Sequence, residues 1–247
     1  MYEIKCAEVW GGIKNEDLDA CSKTMTVSLY SSACDSGKGG DIYYVGVCDK
    51  DLFTRIAVAD VVGHGQAASS ISQWLYNSLQ AHMNSLKGNE VLIDLNRMAT
   101  ERGFQAMTTV AVVAVCKADD NAYFSYAGHH PVLLRRRDDV RWTPVRLDRE
   151  GEGLVNLPLG VSADVTYTQR SLAVQSGDRL LLYTDGVIET PDSRGRLFGM
   201  ERLGAVLEEV GTASLFELKS ALLAALRRHS GGEFLHDDVT LMAVEVR

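Results

Sequence analysis

Ile56-Ala57-Val58-Ala59-Asp60-Val61-Val62-Gly63-His64-Gly65 reads as a buried strand that ends on a carboxylate and turns, between two glycines, into a helix. The apolar run Ile56 to Ala59 supplies the strand, and the pattern from Gln66 to His82 supplies the helix. A charged group at the end of a buried strand costs several kcal/mol unless it is compensated, so Asp60 needs a cation, a set of donors or open solvent. The glycines let backbone come close to whatever sits there. The helix N-terminus that follows adds partial positive charge.

Three further stretches pair an apolar strand with an acidic end: Gly39-Gly40-Asp41 before Ile42 to Cys48, Leu180 to Thr184 running into Asp185-Gly186, and His236-Asp237-Asp238 before Val239 to Val246. If one fold brings these ends together, their carboxylates converge. Two carboxylates about 4 Å apart repel by roughly 4 kcal/mol at an effective dielectric near 20. Such a gathering calls for hard cations.

A chain of 247 residues, 46% hydrophobic and 23% charged, is ordinary globular material, expected as a single domain over 1–247 with a peripheral segment at 1–23. The longest purely apolar run, Val110 to Cys116, is too short to span a bilayer, and Met1 to Lys5 lacks a secretory pattern, so the expectation is a soluble cytoplasmic protein without membrane partners. Cys6, Cys21, Cys34, Cys48 and Cys116 form no C-x-x-C pair and read as reduced thiols. A formal charge of -8 disfavours a nucleic-acid partner. The basic run Arg135-Arg136-Arg137 runs straight into Asp138-Asp139 and reads as a solvated hairpin loop.

Residues 1 to 23 look like loop, with regular structure starting at Thr24. Strands are expected at Thr24 to Tyr30, Ile42 to Cys48, Thr54 to Ala59, Ala106 to Cys116, Asn121 to Ala127, Val132 to Arg135, Val165 to Val174, the segment ending at Asp185, and Val239 to Val246. The strands before and after Asp49-Lys50-Asp51 should form a hairpin. Besides the helix after Gly65, a second is expected with Asn89 as its N-cap, and two more at Glu201 to Val210 and Leu215 to His229. The last opens with Ser214 and Glu217 at capping-box spacing and closes on Arg227-Arg228-His229 and Gly231-Gly232. The predicted fold is α+β: a four-layer α/β/β/α sandwich, two antiparallel sheets flanked by helices.

Taken in order, these blocks resemble the bacterial SpoIIE/RsbU branch of the metal-dependent PP2C-type (PPM) protein phosphatases. The resemblance rests on Gly39-Gly40-Asp41 with Tyr43-Tyr44, Ala59 to Gly65, Ala127-Gly128-His129-His130-Pro131, Leu157-Pro158-Leu159-Gly160, Leu181 to Glu189, and Asp237-Asp238-Val239-Thr240. It implies two Mn²⁺ or Mg²⁺ ions between the sheets. By motif position Asp60 would bridge them, with the carbonyl of Val61 on one ion; Asp185 and Asp237 would hold the other, and Asp41 would act on the first through water. Asp237 is favoured over Asp238 as the ligand. An all-oxygen set suits Mg²⁺ or Mn²⁺ better than Zn²⁺.

The implied reaction is hydrolysis of phosphoserine or phosphothreonine by metal-activated water, without a protein nucleophile. The implied partner is a phosphorylated protein, by analogy a STAS-type anti-sigma-factor antagonist in a partner-switching pathway. The arginine-bearing phosphate signatures of eukaryotic PP2C enzymes are not evident, nor is the sensor domain common in this branch, so regulation is expected from a separate chain or from the helices after Asp60. Oligomeric state is left open, a homodimer through the helix bearing Trp74 included. His64 is divided between a turn role and one near the metals, and His129 and His130 are expected to be structural. The alternative is a pseudophosphatase that binds phosphoproteins without turnover; retention of all the aspartates weighs against it. Ile42 breaks the GGDEF signature, Asp185-Gly186-Val187 is not D-x-D-x-T, and no G-x-S-x-G or P-loop occurs.

Overall fold

Uninterrupted apolar strands are stable only where both faces are covered, and the fold supplies a layer above and below each of them. The computed structural model describes residues 1–34, 38–48, 50, 52–63, 65–82, 84–147, 153–234 and 236–247, with backbone alone at 38 and 65–67. One sheet has the order β1 (Tyr2–Glu3), β3 (Glu16–Cys21), β4 (Met25–Ser32), β13 (Val239–Val246), β12 (Arg179–Tyr183), β9 (Leu133–Arg135), β10 (Trp142–Pro144). The other has the order β11 (Arg170–Ala173), β8 (Asn121–Ala127), β7 (Thr108–Cys116), β6 (Phe53–Val61), β5 (Lys38–Val47), β2 (Val9–Lys14). Neighbours are antiparallel except β1 and β3.

Side-chain alternation sorts these strands into three large cores and a small fourth around Phe53 and Cys116. Ile56 and Val58 of β6, Leu180 and Leu182 of β12, and Met242 and Val244 of β13 fill the space between the sheets around Phe124, Met25 and Leu29. Ala57, Ala59 and Val61 pack outward on Leu75 and Leu79 of α1 (Gly65–Ala81) and on Leu92 and Leu95 of α2 (Gly88–Arg102). Leu181, Leu241 and Ala243 pack outward on α4 (Gly199–Val210) and α5 (Leu215–Ser230), reached from β12 through the short α3 (Asp185–Glu189). The four-layer α/β/β/α sandwich read from the sequence is the architecture found.

Several local expectations need correction. Regular structure does not begin at Thr24: β2 pairs with β5, β3 pairs with β4, and Ile4, Ile13 and Ala20 are buried. The acidic residues that made this stretch look like loop are strand residues. Asp17 and Asp19 meet the buried Lys219 ammonium of α5 at 2.6 and 3.1 Å. β5 starts at Lys38, so Gly39-Gly40-Asp41 lies inside the strand instead of ahead of it. In the Val165 to Val174 segment the regular strand is confined to Arg170–Ala173, with an isolated bridge from Thr166 to Val155. Asn89 does not cap α2, which begins at Gly88, whose N–H donates to Gln169 Oε1 at 2.6 Å. That acceptor comes from far along the chain, out of reach of local pattern. The capping box of Ser214 and Glu217 and the left-handed Gly231 closing α5 are as expected. The turn residues Asp49 and Asp51 lie outside the described residues.

Phe124 is fully buried between the sheets, whereas Phe104 is 73% exposed. Phe124→Ala should therefore lower unfolding free energy by about 3–5 kcal/mol in urea titration, and Phe104→Ala should change it by no more than about 0.5 kcal/mol. Similar losses for both would contradict the placement of the inter-sheet core.

Candidate active site

The parity that builds the inter-sheet core also aims the acidic groups. Asp41 shares the inward face of β5 with Tyr43 and Val45, and Asp60 shares that of β6 with Ile56 and Val58. The β5–β6 register pairs Ile42 with Ala59, so the next step along it sets Asp41 opposite Asp60. From the other sheet, Thr184 follows Leu182 of β12, Thr240 precedes Met242 of β13, and Asp238 lies two residues earlier. These groups lie at one end of the gap between the sheets.

At Thr184 one contact joins the sheets and a second braces it from within the seven-stranded sheet. Thr184 Oγ1 donates to Asp41 Oδ2 at 2.8 Å, while Thr240 N–H donates to Thr184 Oγ1 at 3.0 Å. The buried Asp238 carboxylate accepts from Gly40 N–H at 2.5 Å and from Cys34 N–H at 2.8 Å, tying the start of β13 to β5 and to the end of β4. This approach requires glycine. A Cβ on Gly39 would lie 2.0 Å from Asp238 Oδ2, and one on Gly186 would lie 1.9 Å from the Asp238 carbonyl oxygen. The carbonyl oxygen of Val61 and Oδ1 of Asp60 would be 2.7 and 3.6 Å from a Cβ on Gly40, so both edge the same space.

Asp185 opens α3 at the end of β12 and is half-buried. Asp237 is exposed, and its Oδ1 accepts the N–H of Asp238 at 2.8 Å. Between the adjacent aspartates, Asp238 is thus engaged by backbone donors, and Asp237 retains free oxygen lone pairs.

The electrostatics follow from this crowding. Burial and then the charges of Asp185, Asp237, Asp238 and Glu189 push the Asp60 carboxyl up to about 8. Burial, then Asp60 and Asp238, raise Asp41 well above the usual carboxylate range, against the opposing bonds from Thr240 and Thr184. Asp237, although open to solvent on one side, is raised by the desolvation of its packed side and by the charges of Asp185, Asp238 and Glu189, against the bond from the Asp238 N–H. Among the described residues no lysine or arginine forms an ion pair with Asp41, Asp60, Asp185 or Asp237. Nor, among the described residues, are three or more His, Cys, Asp or Glu closed into a metal-ligating cluster. The carboxylates act on one another across a common space without meeting at a point.

Sequence reasoning missed the parts played by Thr184 and Glu189. Glu189 lies one turn after Asp185 on α3, a spacing that puts both acids on one helix face and was visible in Asp185 to Glu189. His129 is buried, donates from Nδ1 to the His130 carbonyl oxygen at 3.0 Å, and is kept neutral by burial, its pKa lowered to about 4. His130 stacks on Tyr183 with ring centroids 5.9 Å apart. Both histidines pack the corner beside β12. His64 lies outside the described residues.

Carboxyls whose folded pKa is raised contribute stability that is complete below their unfolded value near 4 and is lost as pH rises toward the folded value. In chelator-treated protein the melting temperature should therefore fall as pH goes from about 5 to 8, and Asp60→Asn should flatten that fall. An equally steep fall in the variant would mean that Asp60 carries none of the strain.

Comparison with known proteins adds a family to this geometry. The family model for Stage II sporulation protein E (SpoIIE) matches residues 51–247. Phosphoserine phosphatase RsbU of Bacillus subtilis is 30% identical over 207 residues, covering 83% of this chain and 58% of that protein. This chain therefore spans a little over half the length of that relative. The solved SiaA-PP2C domain of Pseudomonas aeruginosa superposes with a TM-score of 0.73 at 16% identity, covering 89% of this chain and 85% of that one. RsbX, solved in complex with magnesium, has a TM-score of 0.66 at 14% identity, covering 94% of this chain and 100% of that one.

Proposed function

This chain belongs to the SpoIIE family, and we propose that it is a divalent-metal-dependent phosphatase acting on phosphoserine or phosphothreonine of a protein substrate. One observation carries the reading: Asp60 and its acidic neighbours Asp41, Asp185 and Asp237 crowd the end of the inter-sheet gap, the carboxyls of Asp41, Asp60 and Asp237 are raised, and among the described residues no lysine or arginine neutralises them. Oxygen donors on every side fit Mg²⁺ or Mn²⁺. Their loose arrangement also fits, because Mg²⁺ dehydrates reluctantly and is commonly held by one or two carboxylates and several waters.

In this reading Asp60, Asp41, Asp185 and Asp237, with the Val61 carbonyl, are the groups that would hold the ions. When bound, the ions supply Lewis-acid charge that neutralises phosphoryl oxygens and acidifies water. The chain's own residues do the positioning. Asp238 ties the two sheets together through Gly40 of β5 and is braced by Cys34 at the end of β4 in its own sheet. Thr184 holds Asp41 with one oxygen engaged, leaving the other to orient a water. His129, neutral and buried, adds no charge to the site. The substrate we infer is a phosphorylated STAS-type anti-sigma-factor antagonist, which the resemblance to RsbU supports. The described residues contain no helix long and apolar enough to cross a membrane.

Hydrolysis of an aryl phosphate should require Mn²⁺ or Mg²⁺ and stop on chelation. Asp60→Asn should lower kcat/KM at least ~100-fold, beyond the 10–100-fold typical of residues that merely support metal ligands, while the exposed Asp164→Asn leaves it unchanged. Activity that survives chelation or Asp60→Asn would contradict the reading. Weak or absent calorimetric binding of Mn²⁺ together with no hydrolysis would favour a phosphoprotein-binding module instead.

A further inference from the structure

Beside Asp237 two hollows adjoin. The first is edged by Asp237 and Glu189, the second, of about 310 Å³, by Tyr30, Cys34 and Arg227, and both are lined by Glu233 and Phe234. The first holds only about 10 Å³, room for one water; the second is the groove, beside the acidic centre at the C-terminal end of α5. It is anchored to that centre, because the Cys34 N–H is held by Asp238. Its wall is firm: Phe234 is buried and meets Tyr30 edge to face, with ring centroids 6.2 Å apart.

Arg227 is exposed, and its guanidinium lies 5.9 Å from the centre of the Tyr30 ring. Among the described residues it forms no ion pair, although Glu233 lines the same hollow. No other lysine or arginine among the described residues lines either hollow. In a chain of net charge -8, a solitary cation propped on an aromatic ring next to an acidic centre is suited to receive an anion. A planar guanidinium fork matches a carboxylate in two parallel bonds. Arg227 and Asp237 each line one hollow only, with Glu233 and Phe234 common to both. The arginine therefore faces what flanks the phosphate rather than the phosphate itself.

We propose that this groove receives the segment of the protein substrate next to its phosphoserine, and that Arg227 is a specificity residue selecting an acidic side chain in that segment. The assignment rests on the phosphatase reading above and extends it to substrate choice. Tyr30 and Phe234 supply the apolar wall for the peptide, and Tyr30 holds the guanidinium in place by a cation–π contact.

The test compares three substrates with Mn²⁺ present: an aryl phosphate, a phosphoserine peptide with flanking aspartates, and the same peptide with flanking alanines. Arg227→Ala should raise KM for the acidic peptide about tenfold, the equivalent of about 1.4 kcal/mol, with kcat unchanged. The alanine peptide and the aryl phosphate should be hydrolysed as before, and Arg227→Lys should recover part of the loss. An equal loss on all three substrates, or none on any, overturns the assignment. An unchanged melting temperature shows that the variant folds. If the unaltered protein hydrolyses none of the three, the phosphatase reading fails first, and that result is seen before any variant is made.

Discussion

Like charges held together at the ends of buried strands are the constraint on which the rest of this structure turns. Strand alternation sends Asp41 and Asp60 inward from one sheet and Asp238 inward from the other, into the gap that the apolar side chains keep closed elsewhere. Each pair at close range costs several kcal/mol at an effective dielectric near 20. The fold answers part of that cost internally. Asp238 is satisfied by backbone N–H groups, and Asp41 is partly satisfied by Thr184. For Asp60 and Asp237 the described residues offer no cation, and their carboxyls are raised accordingly.

Glycine makes the arrangement sterically feasible. Gly39 and Gly186 lie against the carboxylate and the carbonyl of Asp238 at separations no side chain tolerates. Gly39 and Asp238 come from different sheets, so their close approach sets the width of the gap at the site, while Gly186 lets α3 lie against Asp238 in its own sheet. The helices on the outer faces contribute indirectly. Ser72 of α1 donates to the Gly40 carbonyl at 2.8 Å and so fixes the strand segment that carries Asp41.

Much of this was legible because its signals are local. An apolar run ending in an acid reads as a strand tip, and the order of the blocks implies the sandwich. Capping at Ser214 and the strand Val239–Val246 have local signatures and were found where expected. What escaped is tertiary. β2 and β3 were hidden because the acids in Glu16–Cys21 look like loop until Lys219, some two hundred residues later, is seen to pair with them. The start of α2 was misplaced because Gln169 caps it. The division of labour between Asp237 and Asp238 could not be derived from adjacency, since it depends on which carboxylate meets the backbone of β4 and β5. Arg227 gave no sequence signal beyond favourable charge at a helix end, and its place beside the acidic centre depends on Tyr30 and Phe234 from different parts of the chain.

The central claim is that these acidic strand ends hold a pair of divalent ions. Anomalous diffraction at the manganese edge from crystals grown with Mn²⁺ tests it most directly. The account predicts two anomalous peaks at the end of the inter-sheet gap, bounded by Asp41, Asp60, Asp185 and Asp237 and close to the Val61 carbonyl. Peaks elsewhere, or none at saturating Mn²⁺ with the four aspartates well ordered, would contradict it.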